Sequence, residues 1–246
     1  MKLQRLLSLT RQAVDDYGLI DNGDILAVGI SGGKDSLTLL YALEHLRRFY
    51  PRKFRIQAIT VDLGFDGFDL SPVKDLCEQL SVPYQVVSTD IGKIVFEQRR
   101  ETSPCSLCAK LRKGALNKAA LEAGCSKVAY GHHKNDIVET MLLSLLYEGR
   151  FYSFSPKTCL DRTKLTVIRP LLYVDEADVK GFCSKYQLPV CKNPCPADGV
   201  TRREYVKQLT KTLEHDNPGV RQRLFHAVIS GNIPGWPQKE SHPLGI

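Results

Sequence analysis

Apolar and polar positions change period several times along the chain, and the changes mark out its elements. Between residues 3 and 17, Leu3, Leu6, Leu7, Leu9, Ala13 and Val14 recur at broadly helical spacing, and Tyr17-Gly18 supplies a stop. The turn Asp21-Asn22-Gly23-Asp24 leads into an apolar run at 25–29 that reads as a buried strand. A helical pattern follows over about 36–49 and closes at Tyr50-Pro51. Residues 54–61 read as the second strand, ending in Asp62, and Gly64 to Gly67 as a connection. Ser71-Pro72 opens a helix with a cap and a proline at its first position. Residues 82–87 read as the third strand, and a mixed segment spans 90–104. A helix runs from there to Ala123, with Gly124 as its C-cap. A short fourth strand at 127–130, an apolar helix at 136–147, a fifth strand at 165–170 and a helix at 174–186 complete the pattern.

Strands alternating with helices of these lengths predict an α/β fold, a parallel sheet with helices on both faces. From Leu188 the strand rhythm stops. Residues 204–230 read as basic helices broken at Asn217-Pro218-Gly219, and the Pro-rich tail from Ile233 as irregular. The expected organisation is a nucleotide-binding domain over 1–187 and a cysteine-bearing basic helical extension over 188–246, packed on the same domain.

Composition narrows the class. The chain has 246 residues and a formal charge of +7, which is compatible with a polyanionic partner. No run of about 18 apolar residues is present, so no membrane span is expected. Met1-Lys2-Leu3-Gln4-Arg5-Leu6-Leu7 runs into polar residues and lacks the apolar core of a secretion signal. With eight cysteines, this points to a reducing cytoplasm, where patterned cysteines serve metals or redox chemistry more often than structural bridges.

The chemistry-bearing residues gather in a few stretches. Ser31-Gly32-Gly33-Lys34-Asp35-Ser36 follows the first strand and opens a helix, the layout of a phosphate cradle. Its glycines let the backbone approach a ligand, the helix N-terminus offers N–H groups, and Lys34 adds a mobile charge. It is not a Walker A loop, because Asp35 separates the lysine from the serine. Cys105-Ser106-Leu107-Cys108 is a C-x-x-C pair at a helix start. Taken alone it is half of a zinc site, a redox pair or a coincidence. A second group, Cys191-Lys192-Asn193-Pro194-Cys195, has one residue too many for a second C-x-x-C. One thiolate from it with the first pair would make a three-cysteine site with a position left open. Cys77, Cys125, Cys159 and Cys183 read as ordinary buried thiols.

Three motifs in order resemble the tRNA 2-thiocytidine synthetase family, a cysteine-bearing branch of the PP-loop ATP pyrophosphatases. They are the Ser31–Ser36 loop, Pro104-Cys105-Ser106-Leu107-Cys108 with Leu111-Arg112-Lys113-Gly114-Ala115-Leu116, and Gly131-His132-His133-Lys134-Asn135-Asp136-Ile137-Val138-Glu139-Thr140. The resemblance covers about residues 3–210. It implies ATP and Mg2+ at the loop, a 4Fe-4S cluster on three cysteines, and replacement of the 2-carbonyl oxygen of a tRNA cytidine by sulfur. By the same resemblance, Cys105, Cys108 and Cys195 are the cluster ligands, with Cys191 as the alternative third. Ser31, Gly32, Gly33, Lys34, Asp35, Ser36, Asp62, Gly131 and His132 would hold the nucleotide, and Lys34, Asp35 and Asp136 would take part in catalysis. The family's usual aspartate at position 135 is asparagine here.

The implied mechanism adenylates the cytidine oxygen, so that it leaves as AMP when sulfur delivered on the cluster takes its place. Expected partners are tRNA and a cysteine desulfurase or other sulfur donor, and a homodimer is open. RNA contacts are expected at Arg99-Arg100, Lys110, Arg112-Lys113, Arg202-Arg203, Lys207, Lys211, Arg221 and Arg223, with Tyr147, Phe151, Tyr152 and Phe154 as stacking candidates. The alternatives are a lysidine-type PP-loop ligase, a sulfur enzyme acting on another base or small molecule, and a zinc-bearing RNA-binding protein.

Overall fold

The first strand, β1 (Ile25–Gly29), points Leu26 and Val28 to one face of a sheet and Ala27 to the other, all three fully buried. A strand buried on both faces reads as an unbroken apolar run, which is why it shows so clearly in the sequence. In the computed structural model the described residues are 1–98, 104–191, 194–195, 202–231 and 236, the side chains of 97 and 98 excepted. β1 pairs in parallel with β2 (Arg55–Asp62) on one side and β4 (Lys127–Ala129) on the other. β3 (Tyr84–Ser88) extends the sheet beyond β2, and β6 (Thr166–Ile168) beyond β4.

A last strand, β5 (Lys157–Cys159), runs antiparallel to β6 and gives the order β3-β2-β1-β4-β6-β5. The sequence pattern does not show β5: its three residues are partly or fully exposed and carry no alternation, so Cys159 is exposed on this edge strand and not buried as expected, whereas Cys77, Cys125 and Cys183 are buried. Otherwise the parallel sheet is as expected. Chain order runs outward from β1 in one direction through β2 and β3, and in the other through β4. The switch point therefore lies between β1 and β4, where a crevice opens at the carboxyl ends of the strands.

Helices cover both faces. One face carries α1 (Leu3–Asp16), α2 (Lys34–Arg47), α3 (Ser71–Gln79), α6 (Lys134–Glu148), α7 (Glu176–Lys185) and α9 (Val220–Ser230), which share a core through Leu6, Leu40, Val73, Met141, Phe182 and Phe225. The other face carries the short α4 (Ile91–Lys93), a π turn at Ile94–Gln98, and α5 (Pro104–Glu122), whose Val95, Leu116 and Ala120 pack over Ala27 and Ile59. α8 (Arg202–Asp216) lies against α6 and α9 and buries Val206 and Thr210. The basic helices beyond residue 188 thus dock beside the crevice. No helix among the described residues is long and apolar enough to cross a membrane. Arg99 and Arg100, and the tail apart from Trp236, lie outside the described residues.

Candidate functional site

Between β1 and α2 the backbone is shaped by two serines. Ser36 Oγ accepts the Ser31 N–H at 3.1 Å and donates to the Gly33 carbonyl at 2.9 Å, while Ser31 Oγ lies 3.2 Å away. Gly32 has φ +76°, and a Cβ there would stand 3.0 Å from the Cβ of Cys191, so conformation and space both require glycine. Cys191 lies behind this turn and donates its N–H to the Gly32 carbonyl at 2.9 Å. Gly33 is the N-cap of α2, so the first N–H groups of that helix face the crevice. Lys34 Nζ donates to both carboxylate oxygens of Asp35 at 2.9 Å and stands 3.4 Å from Glu176 Oε1.

The loop after β4 crosses directly over this helix start. A Cβ at Gly131 would lie 2.7 Å from the Asp35 carbonyl oxygen, so only glycine permits the approach. Asp136 accepts the His133 N–H at 2.9 Å and caps α6. His133, buried between two acids, places Nε2 3.5 Å from Asp35 Oδ1 and Nδ1 3.3 Å from Asp136 Oδ2. Asn135 faces away from the crevice: buried, its Oδ1 accepts the Glu176 N–H at 3.0 Å. It therefore serves the amino terminus of α7, a task that needs an acceptor oxygen and no charge.

Two adjoining cavities occupy the crevice. The first, about 560 Å³, lies between the strand ends and α5 and is lined by Ser31, Asp35, Ser36, Asp62, Gly131, His132 and Asp136 with the apolar Ile30, Val61, Leu63, Phe68 and Leu116. Asp62 closes β2 there, its Oδ1 accepting the Gly64 N–H at 3.0 Å, so it shapes the turn as well as the wall. The second cavity, about 490 Å³, carries Lys34, Cys105, Cys108 and Cys195, and shares Asp35, Arg112, Asp136 and Arg203 with the first. Gly32, Gly33 and Cys191 line neither.

The cysteine wall comes from two places. Cys105 and Cys108 sit in the first turn of α5, and Cys195 reaches the same cavity from the segment before α8. Burial pushes the Cys108 thiol up; nearby Arg112 opposes this, while Cys195 and Cys105 add to it, which places all three sulfurs in one neighbourhood. Among the described residues, no three His, Cys, Asp or Glu side chains are grouped to hold a single metal ion.

Electrostatics separates the acids. Burial pushes Glu139 up to about 7, Asp136 adds to the rise, and Lys207 and Arg203 oppose it. Burial also favours protonation of Glu176, but a 2.8 Å hydrogen bond from Lys207 and the charges of Lys207 and Lys34 win and hold it at about 2. His132 is pulled down to about 4 by burial, against the attraction of Asp136, so it is neutral at pH 7. Among the described residues its Nδ1 and the Tyr130 hydroxyl are buried without a hydrogen-bond partner, and both residues line the first cavity.

Sequence reasoning missed Glu139, Glu176, Tyr130 and Arg169 as cavity residues. Glu139 had a usable signal, being one turn from Asp136 on the same helix. Of the expected RNA cations, Arg112 and Arg203 line both cavities, Lys113 the first and Lys207 the second, whereas Lys211 and Arg223 are exposed. Tyr147, Phe151 and Tyr152 are exposed, with Arg202 of α8 over the Tyr147 ring at 4.8 Å and Arg150 over Tyr152 at 5.0 Å. Phe154 packs on the core against His132, with ring centroids 4.6 Å apart.

Residues 4–213 match a family model described as a PP-loop domain. The tRNA-cytidine(32) 2-sulfurtransferase of Geobacter sulfurreducens is 38% identical over 95% of this chain and 91% of its own length. That of Anaeromyxobacter dehalogenans is 40% identical over 92% of this chain and 78% of its own length. The U34-tRNA thiolase NcsA from Methanococcus maripaludis, solved with its [4Fe-4S] cluster, has a TM-score of 0.74 at 24% identity, covering 89% of this chain and 76% of that one. An NH3-dependent NAD synthetase from Campylobacter jejuni shares the fold at a TM-score of 0.52 and 15% identity, over 93% and 92% of the two chains.

Proposed function

The chain belongs to the PP-loop family that includes the tRNA-cytidine(32) 2-sulfurtransferases, and from that membership we propose that it is an ATP-dependent tRNA sulfurtransferase. It adenylates the 2-carbonyl oxygen of an anticodon-loop cytidine and replaces that oxygen with sulfur. One observation carries the reading: the phosphate cradle and a three-cysteine wall open into adjoining cavities that share Asp35, Arg112 and Asp136.

The 2-carbonyl oxygen of cytosine is a poor leaving group. Attack of that oxygen on the α-phosphate of ATP expels pyrophosphate, and the oxygen then departs as part of AMP. In this scheme the N–H groups at the start of α2 and Lys34 hold the β- and γ-phosphates and spread the charge of the departing pyrophosphate. Ser31 and Ser36 keep those N–H groups aimed before the nucleotide arrives. Asp35 and Asp62 are the carboxylates for magnesium or the ribose, and Asp136 holds the loop over the helix start. The apolar wall of Ile30, Val61, Leu63 and Leu116 suits an adenine ring.

Cys105, Cys108 and Cys195 fit a 4Fe-4S cluster as donors. The support is that the three thiols line one cavity. A cluster held by three cysteines supplies an open iron position at which sulfur can be presented. Cys191 serves instead to seat the loop, through its bond to Gly32. A cysteine desulfurase or other donor would supply the sulfur. Residues 188–246 would act as one unit with 1–187, since α8 and Cys195 complete the site.

The test is anaerobic purification with assay of iron, sulfide and zinc in the parent and in Cys105→Ser, Cys108→Ser, Cys191→Ser and Cys195→Ser. About four iron and four sulfide per chain, kept only in Cys191→Ser, are expected. Zinc without sulfide would remove the cluster from the scheme. Mass spectrometry of tRNA nucleosides from a strain lacking the gene should then show loss of 2-thiocytidine, restored by the parent and by Cys191→Ser. Unchanged 2-thiocytidine would sink the substrate assignment.

A further inference from the structure

Two cations of α8, expected from sequence to meet RNA, face the cavity beside the phosphate cradle. Arg203 and Lys207 are one helical turn apart and line the cavity that holds Lys34. Lys207 Nζ donates to Glu176 Oε1 at 2.8 Å. Lys34 Nζ stands 3.4 Å from that same oxygen, and Lys180 Nζ 3.2 Å from it. One carboxylate oxygen, on a side chain only 9% exposed, thus gathers ammonium groups from α2, α7 and α8. Lys34 is also bound to Asp35 at 2.9 Å, and Asp136, Glu139 and Glu204 line the same cavity, so these ammonium groups are held among carboxylates next to the amino end of α2, where an anion is favoured. Arg203 extends the same rim, with its guanidinium 3.3 Å from Asp136 Oδ1.

We propose that Lys207, supported by Arg203, binds the β- and γ-phosphates of ATP and the released pyrophosphate, so that α8 completes the phosphate site across from the Ser31–Ser36 loop. The inference rests on the reading of that loop as the cradle. Glu176 holds Lys34 and Lys207 side by side before the nucleotide arrives, which lowers the cost of bringing two like charges together. An RNA backbone would meet outward cations such as Lys211, one turn further along α8 and exposed, whereas the Lys207 side chain is recessed at 27% exposure.

The test uses the full-length protein with Lys207→Met, which keeps the apolar stem, Lys207→Arg, which keeps the charge, and Lys211→Met as a control. Equilibrium binding of Mg-ATP, inorganic pyrophosphate, AMP and an unmodified tRNA transcript is measured for each. Ligand-free unfolding is followed alongside. Lys207→Met should weaken Mg-ATP and pyrophosphate by about tenfold, the loss of one charge-assisted contact. AMP and tRNA should bind as in the parent, and Lys207→Arg should recover most of the loss. If Mg-ATP and pyrophosphate bind Lys207→Met as tightly as the parent, the proposal fails. A loss confined to tRNA, with a shallower salt dependence, makes Lys207 an RNA contact and overturns it equally. A parent that binds no Mg-ATP refutes the cradle itself, a result distinct from an unaffected Lys207→Met in an ATP-binding parent. Should Lys207→Met unfold early without ligand, Lys207→Arg decides: normal stability with weakened pyrophosphate binding would overturn the proposal, and full binding would support it.

Discussion

Gly131→Ala probes the crossing of the β4 loop over the start of α2. The new Cβ would stand 2.7 Å from the Asp35 carbonyl oxygen, 2.8 Å from its carbon and 3.1 Å from the Ser36 nitrogen. All three are backbone atoms, so no side chain can swing aside. Reaching ordinary contact requires the two segments to part by about 1 Å. Overpacking of this kind costs about 1–3 kcal/mol, or about 2–12 °C in unfolding midpoint for a chain of this size. The same displacement moves Asp35 and the first N–H groups of α2 away from the cavity, and tRNA-dependent AMP formation should drop by about 10- to 100-fold. Gly114→Ala is the control. It lies within α5, no described atom outside its own stretch of helix comes within 4 Å of its added methyl, and the substitution should stabilise by about 0.5–1 kcal/mol with no loss of activity. Thermal unfolding and AMP release read both variants. If Gly131→Ala unfolds with the parent and releases AMP at the parent rate, the loop is not seated on α2 as described.

Three further outcomes follow from the site. Asn135→Ala should cost about 1–2 kcal/mol in urea unfolding by taking the acceptor from the Glu176 N–H, while Asn135→Asp, which keeps an acceptor at a helix amino end, should stay near the parent. Glu139, raised to about 7 by burial, binds its proton more tightly in the folded state; its contribution is full below pH 4.5 and is lost as pH rises through 7. Glu139→Gln should therefore gain stability on the parent between pH 5 and 8, and a constant difference across that range would refute the shift. His132, lowered to about 4, works in the opposite sense: its contribution is present above pH 6.5 and is lost as pH falls toward 4. His132→Gln should flatten that limb in urea unfolding measured from pH 4.5 to 7, and an unchanged slope would mean that the imidazole is not buried as described.

Local patterning decided much of this protein. The unbroken apolar run before Ser31 reads as a buried strand, and the two glycines that follow as a turn onto a helix. Backbone sterics and the strand and helix periods act over a few residues, so a single sequence carries them. The alternation of such units implied the parallel sheet, and a parallel sheet implies a switch-point crevice. The cysteine spacing, by contrast, could not choose between Cys191 and Cys195. The residues are four apart, and only the packed chain sends one behind Gly32 and the other to the cavity of Cys105 and Cys108. Asn135 likewise showed in the sequence only as a departure from the family's usual aspartate, and the fold sets its oxygen against the amino end of α7. Lys207 and Glu176 meet Lys34 through the docking of three helices far apart in sequence. β5 and the α8 contacts depend on neighbours supplied by the rest of the chain, and no local period records them. What the sequence alone settles is set by interactions within a few residues. Which side chains share a cavity is decided by the order of the strands and the packing of helices across them.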